Sequence, residues 1–322
     1  FSSCRGLMEI SLPEGLTSIG NHAFYGCMQI EKLVLPEGLK YLGSGAFGRC
    51  RALTEVTIPE GVTRMWATFA YCTSLRTLNL PNGLTEMRDG VVEGCDSLET
   101  LHLPSKLEYI SGIWPSKLKT VTTAFGSVRY VSEDGILYDT QDNSILFVNA
   151  SITGNVTVRD GITTIGAGAF KGITSLKLSQ PGLHVGSFAF TDCHQLKSVE
   201  ITSTDFDLME WAFARCENLE TVILPPQVFR MEGGCFTECT SLTTVVLPKN
   251  ITFVHGFKDC TSLKTIEIPD SVTSIGYEAF ANCKLLESIH LPDGVTNIGG
   301  LAFAQCYALK EINLPDSLTT IG

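Results

Sequence analysis

Positive charge is scarce in this chain of 322 residues. Lysine and arginine number 23 against 34 aspartates and glutamates, a net charge of -11, and no run of basic residues exceeds two. A net anion without a basic patch gains little from a phosphate backbone or an anionic bilayer, so neither is expected as its main partner. Long apolar runs are also missing. No stretch approaches the roughly 18 apolar residues of a membrane helix, and no signal peptide starts at Phe1. Catalytic signatures are missing too: there is no P-loop, G-x-S-x-G, H-E-x-x-H or dinucleotide fingerprint. What is present is core material. A 44% hydrophobic share with only 18% charged residues excludes disorder.

Twelve cysteines first suggest disulfides or metal, but their spacing says otherwise. Cys4, Cys27, Cys50, Cys72 and Cys95 are separated by 23, 23, 22 and 23 residues, and Cys193, Cys216, Cys239, Cys260, Cys283 and Cys306 by 23, 23, 21, 23 and 23. Only Cys235 lies off this comb. Each cysteine opens a unit of the form C-x-x-L-x-x-[IVL]-x-[LI]-P-x-G-[VL]-T-x-I-G-x-x-A-F. The copy from Cys283 runs through Leu286, Ile289, Leu291, Pro292, Gly294, Val295, Ile298, Gly299, Ala302 and Phe303.

A constant period of 20 to 29 residues with leucines at fixed offsets is the mark of a leucine-rich-repeat solenoid, here of about thirteen coils. Within a unit, L-x-x-I-x-L alternates as a very short strand with one face inward, and the proline after it ends the ladder. The glycine permits a turn, V-T-x-I-G returns as a second extended piece, and the A-F pair is expected on a single helical or 3-10 turn. No coil buries its apolar set alone, so neighbours must stack in parallel at about 4.8 Å, giving a length of about 60 Å.

Cysteines at one offset then stand beside one another along the stack. Disulfides between coils are conceivable, but every neighbour is a core type, and twelve free, mostly buried thiols are the expected state. Cys235 stands where other units carry alanine. No metal or other cofactor is expected: the Cys235/Cys239 pair lacks a second pair to complete a zinc site.

The repeat weakens after Pro104, where Lys106, Leu107, Ile110, Trp114 and Pro115 replace the usual residues. Residues 125–155 read as an inserted beta-hairpin: Tyr130 to Tyr138, a polar turn at Asp142-Asn143, then Ile145 to Val148. Calcium at Asp139, Asp142 and Asn143 is the alternative, but the full oxygen-ligand loop is missing, and a solvated turn is preferred. The domain reading is therefore N-terminal coils 1–124, an interruption 125–155 and C-terminal coils 156–322, resuming at Val156. Phe1 to Cys4 matches the tail of a coil and Gly322 falls in mid-coil. The expectation is a piece of a longer protein, since capping units are missing from both ends.

The block I-G-x-x-A-F-x-x-C, seen at Ile19 to Cys27, Ile275 to Cys283 and Ile298 to Cys306, resembles the BspA-like class of leucine-rich repeats over nearly the whole chain. Asp134 to Tyr138 resembles an interruption common in that class. The resemblance implies a secreted or surface-displayed protein used in adhesion to host or matrix proteins, with no shared catalytic residues.

Parallel strands in register turn each outward position into a column. One reads Glu9, Lys32, Glu55, Thr77, Thr100, Thr120 and later Ser198, Thr221, Thr244, Thr265, Ser288, Glu311, as suits an exposed sheet. The next reads Ser11, Val34, Thr57, Asn79, His102 and later Glu200, Ile223, Val246, Glu267, His290, Asn313. Ile223 and Val246 fall on adjacent coils where polar residues are usual, a candidate contact patch. Trp211, Phe229 and Phe253 at variable positions are further candidate anchors, with local packing the other reading of each. The six histidines, His22, His102, His184, His194, His255 and His290, sit at unrelated offsets and do not converge, so no enzyme is expected. Asn149, Asn155 and Asn250 open N-x-[ST] sequons. The functional expectation is a non-enzymatic module binding protein or glycan along its sheet face, with a structural spacer as the alternative.

Overall fold

Most repeats supply two strands of two to four residues, and strands so short persist only when a neighbour completes their ladder. The computed structural model describes the chain except residues 113, 116, 150, 153, 156–158, 171, 179–181, 183, 203–209, 227, 229, 230 and 232. Two units are distinguished, residues 1–142 with 146–150, and residues 143–145 with 151–322. The expected resumption of the repeat at Val156 lies outside the described residues.

In the first unit the leading strands pair in parallel as Glu55–Thr57 with Thr77–Asn79 and Thr100–Leu103 with Thr120–Thr123. The returning strands do the same, Arg64–Trp66 with Glu86–Arg88 and then Tyr109–Ile110. In the second unit the leading strands Ser175–Leu178, Ser198–Ile201, Thr221–Ile223 and Thr244–Val246 form consecutive parallel pairs. Phe253–Val254, Ser274–Ile275, Asn297–Ile298 and Thr320–Ile321 make a returning sheet. The described residues wind about twelve turns.

The segment expected as a helical or 3-10 turn is neither; among the described residues no helix forms. Its N–H groups alternate in direction. Those of Ala23, Tyr25 and Cys27 turn back to carbonyls three residues earlier, whereas those of His22, Phe24 and Gly26 reach Ser44, Ala46 and Gly48 of the next coil at 2.8–2.9 Å. Left-handed residues create the alternation, with φ of 53° at His22 and 72° at Gly26, and again 57° at both Trp211 and Arg215. A helix would aim all of these donors along its own axis and leave the adjacent coil unpaired.

Inside this edge runs a column of phenylalanine rings. Phe1, Phe24, Phe47 and Phe69 stack with centroids 5.2–5.9 Å apart, and Phe170, Phe190, Phe213, Phe236, Phe257, Phe280 and Phe303 follow at 4.6–5.5 Å. The cysteines lie against this column as free thiols, all buried except Cys4 and Cys306. Nine of them donate the S–H to the phenylalanine carbonyl of the coil before, as from Cys50 to Phe24 at 3.2 Å and from Cys216 to Phe190 at 3.0 Å. The Phe24 carbonyl also accepts the Cys27 N–H, so the thiol occupies its second lone pair. A small apolar residue that is also a weak donor suits this place better than alanine.

Burial pushes the thiols of Cys50 and Cys95 up to about 12, and those of Cys72 and Cys260 well above the ordinary range. A raised folded-state value means that the contribution is complete below the unfolded value of 9.0 and is lost as pH rises toward 12. The urea midpoint, followed by circular dichroism, should hold steady to about pH 8 and fall steeply between about pH 9 and 12. A midpoint unchanged at pH 11 would contradict buried thiols.

Residues 125–142 and 146–150 of the interruption belong to the first unit, and the interruption is more than a hairpin. Tyr130–Glu133 pairs antiparallel with Ile136–Asp139 around Asp134-Gly135, both left-handed at 48° and 79°. This is the geometry that an Asp-Gly dipeptide favours between strands. The strand ending at Val148 then runs beside the second, and the Asn149 N–H donates to Gly135 at 2.8 Å. Asp142-Asn143 makes the second turn, not the first. That turn is not simply solvated: Asp139 is 3% exposed and its carboxylate is held by Arg129 at 2.9 Å.

Candidate functional site

Register along the second unit's leading sheet brings Glu200, Ile223 and Val246 side by side as Cα partners, with Lys177 next to Glu200. The alternation that buries Val222 and Val245 turns their successors outward, leaving Ile223 39% and Val246 50% exposed. Lys177 and Glu200 satisfy each other at 2.7 Å, and exposed Glu267 occupies the same offset of the next coil. The result is an apolar step two strands wide between charged borders. The neighbours in the other outward column, half-buried Thr221 and exposed Thr244, are β-branched, so this stretch of sheet is stiff and offers few mobile charges.

The other candidates lie elsewhere on the coil. Trp211 belongs to the turn edge, where its indole covers Gly234 of the next coil; a Cβ on that glycine would stand 2.8 Å from a ring carbon. It remains 38% exposed. Phe253 sits half-buried in the returning strand, stacked on His255 at 6.1 Å and facing Gly276. Phe229 lies outside the described residues. Ile223 and Val246 are thus brought together, while Trp211 and Phe253 are placed on other faces.

Several exposed apolar residues were not singled out by the sequence. Val34 is 80% exposed at the same offset as Ile223 and Val246, and Phe125 projects fully where the repeat breaks down. The turn edge carries a legible rule that periodicity alone missed. Tyr25 lies over Gly48 and Tyr71 over Gly94 as Trp211 lies over Gly234, an aromatic in one coil answered by a glycine at the same offset in the next. Of the sequons, Asn149 is engaged, its side-chain oxygen accepting the Val121 N–H at 3.0 Å, and Asn250 is exposed. Among the described residues no three His, Cys, Asp or Glu side chains converge as a metal site, and no helix is long and apolar enough to cross a membrane.

The family model described as a BspA type leucine rich repeat region matches in six copies across residues 1–113, 143–256 and 254–322. This chain belongs to the BspA-type leucine-rich repeat family. Among solved structures of the fold, a leucine rich cell surface protein from Faecalibacterium prausnitzii is 26% identical over 93% of this chain and 77% of its own, with a TM-score of 0.54. A leucine-rich repeat protein from Bacteroides ovatus is 26% identical over all of this chain and 79% of its own, at 0.50. The pneumococcal vaccine antigen PcpA shares the fold at 17% identity and 0.65, over 89% of this chain and 72% of its own. No curated protein is significantly similar in sequence.

Proposed function

We propose that this chain is a non-catalytic module of a secreted or surface-displayed protein, and that it holds a protein partner through the leading sheet of its second unit, centred on Ile223 and Val246. The observation that carries this reading is the paired exposure of two aliphatic side chains in register on a face otherwise built from threonine and charge. Such a step gives up water readily when covered, and the charged border sets orientation. The cell-surface description of the 26%-identical F. prausnitzii protein supports a surface location.

The test is binding of the immobilised chain to a panel of purified host and matrix proteins. Ile223→Asp with Val246→Asp should weaken capture at least about tenfold, as expected when the centre of a small apolar contact is charged. Both residues are exposed, so the melting temperature should stay unchanged. Capture undiminished in the double variant would move the contact elsewhere, and no capture at all would favour a spacer.

A further inference from the structure

The offset five residues before each cysteine reads Phe188, Trp211, Gly234, His255, Glu278 and Leu301 in successive coils of the second unit. Gly234 leaves a gap in that column, and the next coil, with 21 residues between Cys239 and Cys260 in place of the usual 23, puts Gly256 at the offset that Cys235 and Ala279 hold in their coils. The backbone keeps that gap open: Gly256 has a φ of 99°, and a Cβ there would stand 2.8 Å from the Cys235 nitrogen. The trough so formed encloses about 350 Å³.

Its walls are aromatic. Trp211 lies across Gly234 on one side, and Tyr277, 58% exposed, stands on the other. His255 lies in the trough with its ring fixed, Nδ1 accepting the Gly234 N–H at 3.3 Å and the ring stacked on Phe253. The rim is acidic. Glu210, Glu238, Asp259 and Glu278 line it, against a single cation, Lys258, which is bound to Glu278 at 2.7 Å. Asp259 accepts the Asn282 amide. Arg215, within electrostatic reach of Glu238, has its guanidinium held by Asp192 at 2.6 Å.

We infer that this trough receives an arginine or lysine side chain of a protein partner. The inference rests on the reading of the chain as a protein-binding module and adds a second, charge-selective contact on the turn edge. Charge complementarity decides the occupant. An anion would meet four carboxylates, and a purely apolar group would strip their water without replacing it. A cation set against the indole gains the attraction of the ring face together with the carboxylate field.

The probe is a short fluorescein-labelled peptide with one arginine among neutral residues, titrated into the whole chain and read by anisotropy. Lysine, glutamate and all-neutral versions of the peptide, and a neutral oligosaccharide as competitor, are run beside it. The expected result is saturable binding of the arginine and lysine peptides only, weakened severalfold by raising salt from 50 to about 500 mM. Trp211→Ala should weaken it about tenfold, and Glu210→Gln with Glu238→Gln severalfold. Tyr277→Ala, at an exposed position, provides a second wall variant should Trp211→Ala fold poorly, and it too should weaken binding. Equal binding of the glutamate or neutral peptide, binding that survives both wall variants, or displacement by the oligosaccharide would each overturn the inference. The Ile223→Asp, Val246→Asp variant should bind the peptide normally. Loss of peptide binding alone therefore sinks this inference, whereas loss of partner capture at the sheet concerns the proposed function.

Discussion

Phe213→Ala will destabilise the second unit by about 3–5 kcal/mol, the range for emptying a large aromatic from a packed core. Phe213 is fully buried, with its ring 4.6 Å from Phe190 and 5.4 Å from Phe236. Truncation opens a void between two rings that cannot close on each other, because the coils are held apart by backbone bonds such as that from Phe213 N–H to the Cys235 carbonyl at 2.8 Å. In a stack whose stability is shared between neighbours, losing one contact weakens both adjoining coils. Denaturant unfolding should therefore show a lower midpoint. Hydrogen exchange should show lost protection at the inter-coil N–H groups of Phe190, Phe213 and Phe236 before more distant coils respond. Trp211→Ala, two residues away but 38% exposed and packed only against Gly234 and its surroundings, should cost clearly less than Phe213→Ala. Similar losses in the two variants would mean that the phenylalanine column does not hold the coils together.

That contrast between residues two positions apart shows what the sequence could convey. The period of the cysteines fixed the coil, and the alternation in S-V-E-I, T-V-I and T-V-V fixed which side chains point outward, so the pairing of Ile223 with Val246 was readable before any coordinates. Where the physics is local to a coil, as in the left-handed residues of the turn edge, pattern reading failed. His22, Trp211 and Glu278 carry φ values that favour glycine, and nothing in their identity announces it. A helix would satisfy an A-F segment within its own coil, whereas here every second N–H bonds to the next coil. The thiols illustrate the same limit. Their burial followed from the spacing, but their S–H bonds to phenylalanine carbonyls depend on the stagger between coils. The trough was invisible for a further reason. It is made by what is missing: Gly234 lacks the side chain that Trp211 and His255 carry at its offset, and Gly256 lacks the one that Cys235 and Ala279 carry at the next.

The interruption offers the second large effect. Arg129→Met should cost the first unit about 3–5 kcal/mol, because it leaves a buried carboxylate without its cation. Arg129 gives Nε and Nη2 to Asp139 at 2.9–3.1 Å, Nη2 also to Asp142 at 2.8 Å, and Nη1 to the Glu108 carbonyl at 2.6 Å. Its guanidinium lies 5.2 Å from the Tyr130 ring centroid. Asp139 in turn accepts the N–H groups of Gln141 and Asp142 at 3.0 and 3.2 Å, so one carboxylate both shapes the second turn and meets the arginine. These two jobs separate by substitution. Asp139→Asn keeps an acceptor for the turn while removing the charge, so Arg129→Met with Asp139→Asn should recover more than half of the loss, a coupling that a double-mutant cycle in urea would measure. If the double variant is no more stable than Arg129→Met alone, the damage comes from lost packing on Tyr130 and the broken bond to Glu108, and the charge is secondary. Neutral ties also hold the meander: the Tyr130 hydroxyl accepts the Ile110 N–H at 2.9 Å, Trp114 Nε1 donates to Leu146 at 2.7 Å, the Ser132 hydroxyl donates to the Val121 carbonyl at 3.1 Å and Asn149 accepts the Val121 N–H at 3.0 Å. The arginine adds a charged tie to these, joining Glu108 of one coil to Asp139 and Asp142 of the insertion, and it is the one whose loss strands a buried carboxylate.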